Sequence, residues 1–186
     1  MEMEEIKQKV LEDVDPSTRD EARAKRRKRR TRTLIEFGAI VVVILLLFQF
    51  IWGFAGVSGV SMYPTLHDKD VVLYDRVSGH YAAGDVVIVQ RPDGETFVKR
   101  IVAVPGDTIN IEGGVLYVNG KSLTYDCTLG ATYSEGSEIT YPLTLGDKEY
   151  FVLGDNRENS EDSRSFGAVT PDAIKGRLLL RFGVVK

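Results

Sequence analysis

The 186-residue chain has one cysteine, Cys127, and two histidines, His67 and His80. A single cysteine excludes an intrachain disulfide, and in the absence of any CxxC pair its expected role is that of a buried small hydrophobe. Two separated histidines without a neighbouring thiol cluster give no metal-ligand set, so no metal is expected. No internal repeat or low-complexity tract is present. A Ser-His-Asp triad built on His67 or His80 lacks a local motif such as GxSxG. Both histidines read as surface residues.

Charge is also missing from one long stretch. From Phe37 to Gly56 the chain reads FGAIVVVILLLFQFIWGFAG, twenty residues with no ionisable side chain. As a helix this length spans a bilayer, and it exceeds the roughly 7–15 apolar residues of a cleavable signal segment. Ahead of it lies RAKRRKRRTR, Arg23 to Arg32, so the net charge of -3 hides a strongly basic flank. Lysine and arginine beside a span stay on the cytoplasmic side, and the chain beyond Trp52 is then expected to face outward. The same charges suit anionic lipid better than nucleic acid, and no nucleic-acid partner is expected. The expected organisation is a polar and basic cytoplasmic tail with some helix over 1–33, a transmembrane helix over 34–56, and an extracytoplasmic domain over 57–186. This places the protein in the cell membrane as a single-pass chain.

Past Ser61 the pattern changes to short β-branched runs divided by turn residues. DVVLYDRV (Asp70 to Val77), GDVVIVQRPDGETFVKRIVAV (Gly84 to Val104), GGVLYVNGKSLTY (Gly113 to Tyr125), EYFVLGDN (Glu149 to Asn156) and GRLLLRFGVV (Gly176 to Val185) read as strands. Hairpin turns are expected at Pro92-Asp93-Gly94 and Asn119-Gly120. The fold class is therefore an all-β domain with long loops behind one N-terminal helix.

Three stretches carry possible chemistry. On a period of two, Phe97, Lys99, Ile101 and Ala103 share one strand face, and Val98, Arg100 and Val102 share the other. Lys99 has two readings among these neighbours. Its stem covers apolar surface while the amine reaches water, or the amine is buried and its pKa falls toward neutrality, which makes it a usable base. Ser61, in GVSGVSMYPTL, is either a solvated loop hydroxyl or a nucleophile in need of such a base. The polar loop GDNRENSEDSRSFGAV (Gly154 to Val169) holds turn formers at Asp155, Asn156 and Ser160, and Asp162 and Arg164 are placed to pair across a turn.

Taken together, GVSMYPTL, GDVVIV, KRIVAVPGDTI and GDNRENSEDSRSFG resemble, in this order and behind an anchor, the bacterial type I signal peptidases. The resemblance covers the anchor and the whole outward domain. It implies the signal-peptidase-like β fold and a serine protease that removes signal peptides from exported preproteins, without a cofactor. Ser61 then corresponds to the nucleophile and Lys99 to the general base. Ser160 corresponds to a hydroxyl that bonds the lysine amine, and Asp162 with Arg164 to a supporting ion pair. The substrate is expected as an extended strand beside Gly59, Val60, Met62, Pro64, Phe97 and Val98, with small side chains at an Ala-x-Ala site. Gly59 departs from members that carry an oxyanion-binding serine two residues before the nucleophile. Eukaryotic-type relatives have histidine where this chain has Lys99, so the bacterial type is the match, and the single span resembles the Gram-positive form.

Two other functions compete with this one. A self-cleaving Ser/Lys repressor shares such a β fold but carries a DNA-binding helical domain in place of an anchor. A tethered β domain that only binds exported peptides would tolerate the loss of Lys99. The anchor exit itself, Ala55-Gly56-Val57 and Val57-Ser58-Gly59, presents small side chains, and slow self-cleavage near Val57 or Gly59 is expected.

Overall fold

A computed structural model of the protein describes residues 3–6, 16–91, 94–134 and 139–183. It divides into two compact units, Met1–Phe48 and Gln49–Lys186. In the first, residues 3–6 form a helical turn, and helix α1 runs from Pro16 to Ile51. The basic segment is thus helical and continuous with the apolar run, its Thr31 and Thr33 hydroxyls donating back to the carbonyls of Arg27 and Arg29. From Leu34 to Phe50 every side chain is exposed. A helix this apolar without protein around it is long enough to cross a membrane.

The expected span of 34–56 is five residues too long at its C-terminal end, because Trp52–Gly56 form strand β1 instead. β1 pairs antiparallel with β2 (Val71–Asp75), and Gly53 lies opposite Tyr74. A Cβ at Gly53 would stand 2.3 Å from Tyr74 Cζ. The glycine that weakens helix at this point is therefore what lets the tyrosine ring close over the strand. The same pairing holds Ala55 and Gly56, and Val57 is buried. Of the segment expected to be self-cleaved, Ala55 and Gly56 are thus paired in the sheet, whereas Ser58 and Gly59 follow β1 and are exposed.

The second unit is all-β, as expected, with two antiparallel sheets. The larger has the order β1-β2-β10-β3-β4-β9, with β3 (Val86–Gln90), β4 (Thr96–Ala103), β9 (Phe151–Leu153) and β10 (Ile174–Phe182). The smaller has the order β7-β6-β5-β8, from β5 (Thr108–Glu112), β6 (Val115–Val118), β7 (Lys121–Ser122) and β8 (Leu143–Thr144). Strands β5 and β8 were not expected. The Asn119-Gly120 hairpin is present, both residues having positive φ (52° and 74°), as a two-residue turn between right-twisted strands requires. Pro92 and Asp93 of the other expected turn lie outside the described residues. Gly94 closes that turn by donating to the Arg91 carbonyl at 2.9 Å.

Three apolar clusters fill the unit. Val57, Met62, Leu66, Val72, Val86 and Ile88 make one, with Val98 packed against it. Ile101 belongs to a second, with Val87, Val89 and Val152. Val102 and Ala103 both enter the third. The expected alternation along β4 therefore stops at Ile101. A register shift against β9 between Ile101 and Ala103 carries Ala103 off the Lys99 face.

Candidate active site

Lys99 sits in the middle of β4, opposite Val87 of β3. The residue is 1% exposed, and removal from water pushes its amine down to about 8. Asp162 and Glu161 oppose that fall by favouring the charged form, whereas Arg164 adds to it. The amine donates to Ser160 Oγ at 3.0 Å and lies 5.4 Å from the centre of the Phe97 ring. Of the two readings of this lysine, the buried one describes the structure.

Ser61 begins a tight turn in which Tyr63 N–H donates to Val60 and Leu66 N–H to Met62. Met62 and Leu66 are driven into the core, 2% and 1% exposed, while Tyr63 and Pro64 remain outside. Two anchored apolar side chains thus fix a turn whose polar residue is half-buried. Asn156 clamps the turn from the polar loop: its backbone N–H donates to the Ser61 carbonyl at 3.0 Å and its Nδ2 to the Val60 carbonyl at 3.2 Å. The Ser61 hydroxyl has no hydrogen-bond partner among the described residues.

Gly154 links Ser61 to the lysine. A methyl group at Gly154 would lie 2.2 Å from Ser160 Oγ and 2.6 Å from the Ser61 carbonyl oxygen. The Ser61 main chain and the hydroxyl that receives the Lys99 amine therefore pack against the same Cα. The Ser61 main chain, Ser160 and Lys99 thus meet around Gly154 from three segments of the chain.

Asp162 and Arg164 form the ion pair read from the sequence, with Nε to Oδ1 at 2.8 Å and Nη2 to Oδ2 at 2.9 Å. Both are buried. Asp162 also accepts from Gly154 N–H at 3.0 Å and from Arg164 N–H at 3.2 Å, capping the four-residue helix α2 (Ser163–Phe166). Arg164 reaches onward to the carbonyls of Arg157, Ser160 and Tyr133. A short loop with this many fixed carbonyls is rigid.

A second buried network was not read from the sequence. Arg100, next to the lysine, grips Asp155 with two bonds of 2.7 Å and donates to the Gly84 carbonyl. Thr65, four residues after Ser61, donates to the same carboxylate. Arg157 is 2% exposed and donates to the Gly154 carbonyl and to Thr132. Arg100, Asp155 and Arg157 lie inside the same sequence boxes as the lysine and the polar loop, and Thr65 inside that of Ser61.

The remaining expected residues are more scattered in environment. Gly59 has φ of 90° and its N–H is taken by Asp68 at 3.0 Å. Val60 and Pro64 are exposed, Phe97 and Val98 half-buried. β9 pairs only with Arg100, Ile101 and Ala103, so the Thr96–Val98 part of β4 has one edge unpaired among the described residues. His67 lies 2.6 Å from Arg181, which in turn bonds the buried Asp70, and His80 is exposed. No group of three metal-ligating side chains occurs among the described residues.

Residues 30–183 match the family model described as signal peptidase, peptidase S26. Signal peptidase I T of Bacillus subtilis (strain 168) is 36% identical over 169 residues, covering 80% of this chain and 85% of that protein. Signal peptidase IB of Staphylococcus aureus (strain COL) is 32% identical over 166 residues, covering 80% of this chain and 87% of that one. A crystal structure of a signal peptidase I from Enterococcus faecalis V583 aligns with a TM-score of 0.46 at 32% identity, covering 54% of this chain and 97% of its own.

Proposed function

Because the chain belongs to the signal peptidase family S26, we propose that Ser61 and Lys99 are the nucleophile and general base with which it cuts signal peptides from exported precursors. The observation that carries this assignment is a lysine amine, 1% exposed and lowered to about 8, held by a hydroxyl that packs against the same glycine as Ser61. A lysine with an ordinary pKa near 10.4 is almost never neutral at pH 7, whereas one at about 8 is neutral in roughly a tenth of the molecules. That fraction is enough for general-base work.

The reaction is acyl transfer. Lys99 takes the Ser61 proton as the oxygen attacks the scissile carbonyl. The tetrahedral oxyanion is met by the Ser61 N–H, and the protonated amine passes its proton to the departing amine of the mature protein. Water, deprotonated by the same lysine, then releases the signal peptide from the serine. Ser160 aims the amine, and Asp162 with Arg164 holds the loop that carries Ser160. The Lys99–Ser61 hydrogen bond is the step that substrate has to complete, since such bonds tighten when the site is filled.

The open edge of Thr96–Val98 supports binding of the precursor as an added strand. Phe97 and Val98 belong to that stretch, and Met62 shares an apolar cluster with Val98 beneath it, which supports an apolar floor. Small side chains before the cut suit shallow sites of this kind. The helix α1, with eight basic residues between Arg23 and Arg32, supports a single span with its N-terminus in the cytoplasm and the β unit outside, next to a substrate that is itself leaving the membrane.

The test is cleavage of an Ala-x-Ala precursor by the full chain in detergent, as wild type, Ser61→Ala and Lys99→Ala. Each variant is expected to lose at least about a thousandfold. Near-normal cleavage by either folded variant would refute the pair, and a chain that binds the precursor without cutting it would be a receptor.

A further inference from the structure

The rim of the site holds a layer of side chains that the cleavage chemistry does not use. Arg91 follows β3, and its Nη1 is 2.7 Å from Glu161 Oε1 in the polar loop. Its guanidinium carbon lies 5.7 Å from the centre of the Phe97 ring and 5.9 Å from that of Phe166. The two rings are nearly parallel, 13° apart with centres 6.5 Å apart. Phe97 in turn is the ring 5.4 Å from the Lys99 amine.

We propose that Arg91 and Glu161 form a latch that holds Phe97, backed by the stacked Phe166 ring, over the Lys99 amine, which makes both charged residues positioning residues for the base. The proposal rests on the reading of Lys99 as the general base. Phe97 stands on the part of β4 that β9 does not cover, so the sheet supports it on one edge only. Phe166 comes from α2, on the far side of the polar loop. An ion pair spanning 70 residues of sequence ties the β3–β4 hairpin to that loop. The guanidinium lies across both rings while its end is held by the carboxylate, a geometry that fixes ring planes better than apolar contact alone.

Stability is not the purpose of such a pair. Glu161 is half-exposed, and pairs of this type contribute about 0–1 kcal/mol. What the latch controls is water. Burial is the largest influence on the amine, and a ring that swings away admits solvent and lets the charged form return. The charges facing the amine are Asp162 and Glu161, which favour protonation, Arg164, which opposes it, and Arg91 beyond the Phe97 ring.

These charges make the idea testable by sign. As point charges alone, loss of Arg91 would raise the amine's pKa and loss of Glu161 would lower it. As a latch, either loss opens the roof and both raise it. The experiment is the pH profile of kcat/KM for precursor cleavage by the full-length enzyme in detergent, for wild type, Arg91→Gln, Glu161→Gln and Lys99→Ala. The acid limb of both latch variants is expected to move up by about half a unit, a loss of roughly threefold at pH 7 that disappears on the alkaline plateau. Limbs that move in opposite directions, or that stay in place, overturn the latch. Failure of the underlying reading looks different: Lys99→Ala would then keep its activity, whereas an inactive Lys99→Ala with unmoved limbs sinks the latch alone.

Discussion

The Lys99 amine donates to Ser160 Oγ at 3.0 Å from 61 residues away in sequence. A neutral amine has one lone pair, and fixing one N–H toward Ser160 restricts where that lone pair points. Ser160→Ala removes the fixture and leaves the amine buried. The expected result is a fall in kcat of about 10- to 100-fold with KM nearly unchanged, since orientation is lost and binding is not. Steady-state kinetics with a precursor peptide measure it; an effect confined to KM would assign Ser160 to substrate contact.

The burial of Lys99 has a cost that depends on pH. Its folded pKa of about 8 lies below the 10.5 of an ordinary lysine, so between those values the unfolded chain holds more protons. The penalty is therefore complete below about pH 8, shrinks as pH rises, and is gone above about 10.5. Its size is about 3 kcal/mol. Lys99→Met, similar in length and uncharged, is expected to be more stable near pH 7 and to lose most of that advantage near pH 10. Denaturant unfolding of residues 49–186, which hold all three apolar clusters, is the measurement. A difference that does not change with pH would mean a solvated amine.

What could be read in the sequence was what is local. Alternation placed Phe97, Lys99 and Ile101 on one face, and Asp162 and Arg164 were near enough to pair by inspection. Alternation could not show the register shift that follows Ile101, because a bulge is decided by the neighbouring strand. Trp52–Gly56 continues an apolar run, and only Tyr74 closing on Gly53 makes it a strand. Arg100 and Asp155 are 55 residues apart, and each alone has an ordinary local meaning as a strand charge and a turn former. The Ser160–Lys99 contact came from likeness to a family, not from any pattern in the residues.

The Asp162–Arg164 pair holds the polar loop from inside. Asp162 is fully buried and accepts from Gly154 N–H as well as from the guanidinium. Arg164→Met would leave that carboxylate without its cation, and the carbonyls of Arg157, Ser160 and Tyr133 without a donor. Removing one partner of a buried pair costs about 3–5 kcal/mol. Asp162→Asn is expected to cost less than Asp162→Ala, because an amide oxygen still accepts from Gly154 N–H. Thermal or denaturant unfolding of the four proteins ranks them; equal losses for Asn and Ala would show that the Gly154 bond contributes nothing.

Gly154 supplies the most demanding test of the site's geometry. Its φ is not in the positive region that requires glycine, so space alone excludes a side chain there. A methyl group would stand 2.2 Å from Ser160 Oγ, 2.5 Å from Ser160 Cβ and 2.6 Å from the Ser61 carbonyl oxygen. Gly154 cannot retreat, because its N–H is held by Asp162 and its carbonyl accepts from Arg157 Nε at 3.0 Å. Ser61 and Ser160 must therefore be pushed apart. A displacement near 1 Å at reacting groups costs on the order of a hundredfold in rate. Gly154→Ala is expected to lose at least that in kcat/KM. Gly146→Ala, whose methyl would meet only the flexible Glu149 side chain, is expected to cleave normally. If Gly154→Ala also cleaves at the wild-type rate, Ser61 and Ser160 are not coupled through this contact.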